Sequence, residues 1–448
     1  MPPSETVATS LLRRIWRALG QPDVDLAGVA GPRHPVPLPA HTDVASLAWA
    51  SVAAASCAAS ALAGAPTHLL DPDRVAMAYR SRVEIDDTEP AMFAEASGFF
   101  PTADGWVRTH ANYPHHAVAL ARAYGLTDAL TRSGLRARLA TMSTVHAAQA
   151  ARDAGALCEP VLPEDPGEDA RLRRAPVIRL RPLGGGAPQP LRETTADAPL
   201  RGVRVLDLTR VIAGPVGTRT LALLGADVLR IDPPQLPELD VQHLDTGHGK
   251  RSTLLDLTSP AGRALFDELL ATADVVALGY RPASLARLGL TPDLLAERRP
   301  GLIVAQHSAW SDPERRGFDS LVQPASGITT VEGSSDAPGA LPVQALDHTT
   351  GYLLAAGVLT ALARRSAEGG SWLASTSLRR VAAELLGMPR SPIAQDTVEP
   401  SWQRHSQEFD VAGKRIRTAA PAIAYPGGPT AFSAPRPWGR DRAEWLPR

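Results

Sequence analysis

The sequence predicts an α/β fold: a Rossmann-like parallel sheet with helical crossovers, joined to a smaller, mostly helical α+β domain. Three observations carry this. Residues 203–208 form an apolar strand-like run that breaks at Ala213-Gly214-Pro215, and a helical pattern follows to Leu224. A Gly-Ala-Asp turn and a second apolar run over 228–231 come next, giving the strand, loop, helix, strand order that opens a parallel sheet. The same alternation continues to residue 386, whereas the first 165 residues read mostly as helix.

Each element has a local reason. Pro215 suits the first turn of a helix, where its missing N–H costs nothing. Asp256 and Thr258 precede a helix that begins near Pro260, and 274–280 is the next strand. Pro282 and Pro292 each open a short helix, and 302–310 is a further strand. A long Ala/Leu-rich helix spans about 347–365, closed by Gly369-Gly370. Residues 372–377 alternate like a strand and lead into a last helix over 378–386. Earlier in the chain, short strands are expected near 83–85 and 106–109; Pro114 opens a helix, and another ends at Gly155 before an extended stretch. Residues 166–200, rich in Pro, Gly and Arg, read as a linker or surface strap. The expected division is therefore 1–165 (helical, small-domain-like), 166–200 (linker), 201–388 (α/β catalytic domain) and 389–448 (irregular tail).

A chain of 448 residues can hold two or three domains, and its net charge of −1 gives no general attraction to nucleic acid or anionic membrane. Lysine occurs only as Lys250 and Lys414 in an Arg-, Ala- and Pro-rich composition. Cys57 and Cys158 provide neither a disulfide framework nor a metal-ligand spacing, so a reducing cytoplasm is expected. The N-terminal stretch lacks the order of a secretory signal. Residues 44–67 are uncharged and long enough to cross a bilayer, but Ala and Ser dominate them, so a buried helix is expected. Adjacent histidines on a helix face different ways, so His115-His116 make a poor metal chelate and no metal is expected. No G-x-G-x-x-G or G-x-x-x-x-G-K-[ST] loop occurs, and Gly184-Gly185-Gly186 has no strand–loop–helix context.

Several longer runs are more specific. LDLTRVIAGPVGTRTLALLGADVLRID and HGKRSTLLDLTSPAGRALFDELLATADVVALGYRPASLARLGL, followed by GFDSLVQ and PVQALDHTTG, resemble the family III CoA-transferases (the CaiB/BaiF family) over residues 200–388. The FPTADGW strand and the AGALCEPV element resemble that family's small domain, but they precede the large-domain motifs here, so the chain looks rearranged. The resemblance implies a transferase that moves CoA between an acyl-CoA and a carboxylic acid through a covalent aspartyl intermediate. It implies coenzyme A or acyl-CoA as substrate, no permanently bound cofactor, and an interlocked homodimer.

The same resemblance points to particular residues. From spacing alone Asp347 is a helix N-cap, a role that stabilises a helix by about 1 kcal/mol. The resemblance makes it the nucleophile, kept ionised by the helix terminus. Gly351 and Ser326-Gly327 would let backbone N–H groups approach an oxyanion. The phosphates of CoA require cations or free N–H groups. Lys250 and Arg251 in the GKRS motif, Arg281, and Arg287 are the candidates, with Ile212 and Ala213 lining the adenine or pantetheine path. Where the family often has Asn-Arg before Gly-Lys, this chain has Gly247-His248. Related racemases carry His-Asp where this chain has Phe318-Asp319, and a phenyl ring transfers no proton. An acyl-CoA racemase or epimerase would need His307 or His348 instead. A third reading, a degenerate CoA-binding subunit, follows from the displaced small domain.

Overall fold

The computed structural model describes residues 6–26, 29–66, 70–127, 130–192, 195–392 and 397–447. The strands in chain order are β1 (Val83–Ile85), β2 (Gly98–Pro101), β3 (Trp106–Thr109), β4 (Cys158–Pro160), β5 (Arg179–Gly184), β6 (Arg204–Leu208), β7 (Asp227–Asp232), β8 (Arg251–Leu254), β9 (Val275–Leu278), β10 (Ile303–Ser308), β11 (Ser371–Ser377), β12 (Ser406–Val411) and β13 (Lys414–Ala419). Seven of them form one sheet in the order β5-β11-β10-β9-β6-β7-β8. All its pairs are parallel except the β5 edge, which runs antiparallel to β11. Helices cover both faces, so central strands such as Val275–Leu278 are buried at every position. From β6 the chain builds outward through β7 to β8, then crosses back to β9 and builds the other way. That reversal leaves a crevice at the carboxyl ends of β6 and β9, the general location of ligand sites in open α/β sheets.

The expected break at residue 165 does not follow the hydrophobic cores. Helices Val7–Ala18, Val44–Leu62 and Pro72–Tyr79 pack with the long helix Ala345–Glu368 and with Ala213–Leu223 in one core on one face of the large sheet. Helices Pro260–Leu270, Pro282–Arg287 and Pro292–Arg298 cover the other face. Residues 96–158 have a core of their own, built from the β2-β3-β4 sheet and helices Pro114–Tyr124, Arg132–Leu139 and Thr144–Asp153. The first 80 residues join the large unit because Val44–Leu62 presents mostly small Ala and Ser side chains, over which the long helix lies closely. This is also the uncharged stretch. It is long and apolar enough to cross a membrane by length and composition, and it is mostly buried within the protein (Thr67 lies outside the described residues).

Two further expectations change. Residues 166–200 contain a helix, Pro166–Arg173, and the antiparallel edge strand β5 rather than a plain linker. The C-terminal region is not irregular throughout, for β12 and β13 form a hairpin that β1 extends to three strands. Its two-residue turn, Ala412-Gly413, has φ +54° and +79°, the left-handed pair that matches the twist of a tight hairpin. Beyond it the tail straps the β8 edge: the Asp441 carboxylate accepts the Ser252 N–H (2.8 Å), and the Gly439 N–H donates to Ser252 Oγ (2.9 Å). Covering an edge in this way blocks its pairing with another chain.

One buried ion pair fixes the first crossover. Lys250 Nζ donates to Asp207 Oδ2 (3.0 Å), the Pro215 carbonyl (2.9 Å) and Thr218 Oγ1 (2.6 Å), which exhausts an ammonium. Burial opposes the Asp207 charge, but Lys250, Arg230 and two hydroxyl donors outweigh it and hold its pKa below the ordinary carboxylate value. Removing one partner leaves the other charge uncompensated, so Lys250→Met should destabilise the fold by about 3–5 kcal/mol in urea unfolding. Adding Asp207→Asn to that variant should restore part of the loss.

Candidate active site

The site is assembled where two helices touch. Helix Ala213–Leu223 leaves the end of β6, and the long helix Ala345–Glu368 crosses it at Gly351. A Cβ on Gly351 would lie 2.6 Å from the Ala213 carbonyl oxygen and 2.8 Å from Val216 Cβ, so the crossing admits only glycine. Asp347, one helical turn earlier, is thereby set beside Ala213 at the carboxyl end of the sheet. The glycine is used for helix packing rather than for an oxyanion. Gly327 likewise serves the turn that ends helix Asp319–Ser326, with φ +88°.

Asp347 is not the helix cap. The N-cap is Gln344, with no side-chain cap bond, and the exposed amides are taken by Asp319 instead. Asp319 Oδ2 accepts the N–H groups of Leu346 (2.9 Å) and Asp347 (3.0 Å), and Oδ1 accepts the Gln323 side-chain amide (2.6 Å). The Asp347 carboxyl is therefore left for other work. It is only 6% exposed, and burial together with the neighbouring Asp319 carboxylate raises its pKa well above the ordinary value. This overturns the expectation that the helix terminus keeps it ionised: desolvation and a like charge outweigh the terminus. Burial raises the pKa of Asp319 as well, to about 6, but its three donors favour its charged form, and no such donor meets the Asp347 side chain among the described residues.

Two chambers meet at Asp347. The larger, about 460 Å³, lies over the ends of β6, β7, β9 and β10 at Leu208, Ile231, Gly279 and His307. Leu255, Leu285 and Leu290 give it an apolar lining, Arg210, Arg281 and Arg316 add charge, and Tyr113, His115 and His116 face it from the first part of the chain. The smaller, about 230 Å³, is lined by Ser81, Arg108, His110, Gln242 and Ser320, among others. Val211, Phe318 and Asp347 line both and form the partition. Val211 is strained, a β-branched residue with φ +68°, and its N–H is held by Glu238 Oε2 (3.2 Å). Glu238 also accepts the Tyr113 hydroxyl (2.5 Å) and Arg230 (2.7 Å), so one buried carboxylate ties the roof to the partition.

The candidate residues separate under this geometry. Ala213 lines the larger chamber and Ile212 the smaller. Arg281 lines the larger chamber and bonds the Glu314 carbonyl (3.2 Å). Arg287 lines neither chamber; it is exposed and pairs with Glu314 (3.1 Å). Lys250 and Arg251 are corrected outright as phosphate ligands. Lys250 is consumed by Asp207, while Arg251 pairs with Asp227 (2.8 Å) and the Glu444 carbonyl beneath the tail, because β8 is the strapped edge. His248 is also buried there, against Thr418 (2.9 Å).

Other side chains enter the cleft without having been singled out: Arg210, although it lies in the LDLTRV run, and Arg108, His110, Tyr113 and Arg316, which lie outside the quoted motifs. Only the i, i+2 spacing of Arg108 and His110 along a strand could have paired the first two. His115 and His116 do not diverge as expected; both line the larger chamber with ring centroids 4.1 Å apart. Among the described residues no group of three or more His, Cys, Asp or Glu is suited to a metal. Phe318 stacks on His110 at 4.0 Å. Of the two substitute histidines, His348 is buried against Ser81 (2.8 Å), and only His307 faces the cleft, its pKa pushed down to about 4 by burial.

Known proteins resemble part of this chain in sequence. A probable fatty acyl-CoA transferase of Mycobacterium tuberculosis is 34% identical over 205 residues, covering 42% of this chain and 52% of that protein. A succinate–glutarate CoA-transferase of Agrobacterium fabrum is 34% identical over 196 residues, covering 38% of this chain and 49% of that protein. The crystal structure of the mycobacterial protein has a TM-score of 0.39 at 34% identity, covering 42% of this chain and 56% of that one. A CaiB/BaiF family protein from Brucella suis has a TM-score of 0.39 at 25% identity, covering 49% and 65% respectively. The chain spans about half the length of the curated relatives it matches. The profile of CoA-transferase family III matches residues 200–426, just over half of the chain, and the protein belongs to that family.

Proposed function

We propose that the protein moves CoA between an acyl-CoA and a carboxylic acid, with Asp347 as the covalent carrier. The observation that supports this best is that Asp347 lies in the partition between a larger chamber that carries Arg210, Arg281 and Arg316 in its lining and a smaller one, both mostly apolar. In this reading CoA occupies the larger chamber, with Arg281 and Arg316 toward its phosphates. The Asp347 carboxylate attacks the thioester carbonyl; the C–S bond breaks and leaves a mixed anhydride and CoA thiolate. The thiolate attacks the aspartyl carbonyl of the anhydride, the donor acid departs as carboxylate, and an aspartyl-CoA thioester remains. An acceptor carboxylate repeats the steps in reverse. Burial strips water from the nucleophile once it ionises, which also protects the anhydride from hydrolysis.

Tyr113, His115 and Asp347 face the cleft from one chain, so this reading requires no second copy to complete the site, and an interlocked homodimer is not part of it. A cytoplasmic setting belongs to the reading, supported by two buried cysteines outside any disulfide. The racemase alternative rests on His307, which lines the same chamber as Asp347 with an unpartnered Nδ1. Transfer without any deuterium exchange at the acyl α-carbon in heavy water is the expected outcome; exchange in the absence of acceptor acid would favour the racemase.

Hydroxylamine added to protein and acyl-CoA should convert Asp347 to its hydroxamate, seen by peptide mass spectrometry, and Asp347→Ala should abolish both transfer and trapping. The pH profile gives a second check. A raised pKa means that the reactive carboxylate appears only as pH rises through it, so the acid limb of kcat/KM should lie above the ordinary carboxylate range. Asp319→Asn removes the like charge and should move that limb to lower pH; an unmoved limb would assign it to another group.

A further inference from the structure

The loop over residues 309–318, between β10 and helix Asp319–Ser326, carries an acid into the arginines at the larger chamber. Arg281 and Arg316 line that chamber, and Arg287 lies outside it at the end of helix Pro282–Arg287. Glu314 spans the boundary. Its Oε1 accepts Arg287 Nη1 (3.1 Å), and its Oε2 pairs with Arg281 Nη1 (3.5 Å), which also donates to the Glu314 carbonyl (3.2 Å). The loop has other anchors: Arg315 pairs with Glu159 (2.8 Å) and lies 3.6 Å over the Trp310 ring, while Arg316 donates to the Gly155 carbonyl (3.0 Å). The Glu314 carboxylate is therefore free to change partner without releasing the loop. It is 57% exposed and Arg287 is 61% exposed, and ion pairs in that setting are weak and easily exchanged. Burial and the like charge of Arg316 lower the pKa of Arg281, with Glu314 opposing, so the cations crowd one another and an anion relieves them.

We propose that Glu314 is an internal competitor for the phosphates of CoA and sets how tightly the larger chamber holds a phosphate-bearing ligand. In the arrangement seen, Glu314 bridges Arg281 and Arg287. An entering phosphate takes Arg281, and Glu314 turns outward and stays with Arg287 alone. The inference rests on the reading that puts CoA in the larger chamber with Arg281 toward its phosphates. The exchange runs in favour of the phosphate, which offers a guanidinium several charged oxygens in place of one carboxylate oxygen at 3.5 Å. Its cost falls only on a ligand that takes Arg281. A ligand of the same reach without phosphates leaves the Glu314–Arg281 pair intact and pays nothing. Arg287 acts through Glu314: it gives the displaced carboxylate a partner outside the chamber and keeps its charge from facing the phosphate unpaired. Arg287 is thus a positioning residue, and its exposed place outside both chambers suits that role.

Calorimetry on the full chain, with CoA and with pantetheine as probes, tests this without requiring turnover. Both side chains are exposed, so substituting them should leave the fold intact. Glu314→Gln should bind CoA about 5-fold tighter than the wild type and pantetheine no differently. Arg287→Gln should weaken CoA about 3-fold in the wild type, and most of that loss should vanish in a Glu314→Gln background. Weaker or unchanged CoA binding by Glu314→Gln would overturn the proposal, the first outcome making Glu314 an aid to the arginines rather than their competitor. An equal gain for pantetheine would also overturn it, because pantetheine has no phosphate to take Arg281. A loss on Arg287→Gln of the same size in both backgrounds would contradict the positioning role and put Arg287 on the ligand itself. CoA that binds neither form removes the chamber reading along with the competitor; CoA that binds both forms equally removes the competitor alone.

Discussion

Asp319 holds the N-terminal amides of the long helix, and everything at the cleft depends on that contact. By accepting the N–H groups of Leu346 and Asp347 it takes over the cap and fixes a second carboxylate in the same dry wall. Two carboxylates so placed cannot both ionise easily. The one with donors is better able to carry the charge, and the other, its pKa raised by burial and the like charge, faces two chambers. A carboxyl in that condition is a poor surface charge and a poor cap. Once ionised, it is a strong nucleophile with little water to displace.

The remaining architecture holds this pair at the sheet's carboxyl edge. Gly351 lets two helices meet at backbone distance, and the Asp207–Lys250 pair locks the loop and helix on which Ala213 sits. Glu238 joins Val211 in the partition to Tyr113 in the roof. Buried polar bonds therefore fix the position of this early part of the chain over the cleft.

Much of the large domain is legible in the sequence. The β6–helix–β7 unit, the proline-opened helices and the long helix are local patterns with strong period and punctuation, and they lie where those patterns put them. Elements decided by distant contacts are not legible. The strand β8 is short and its motif reads as basic, yet Lys250 and Arg251 turn inward to Asp207 and Asp227, partners 43 and 24 residues away. A lysine or arginine in a recognisable motif looks like a phosphate ligand until its carboxylate is found. The tail hairpin was hidden because β12 and β13 are rich in polar residues and lack clean alternation. At the site, Asp347 and Ala213 could be read because they stand at a helix start and a loop with a recognisable surrounding motif. Arg108 and His110 could not, since their meeting with Asp347 is set by how a separate three-stranded sheet docks, and no local spacing records that.

The central claim is that Asp347 itself exchanges oxygen with the substrate acid. Turnover with an acceptor acid labelled with oxygen-18 in its reacting carboxylate tests this directly. The acceptor attacks the aspartyl thioester through a labelled oxygen, and when thiolate then takes the acyl group that oxygen stays on the protein. Peptide mass spectrometry should find heavy oxygen in the Asp347 side chain and in no other carboxyl group. Turnover that leaves Asp347 unlabelled would contradict the account.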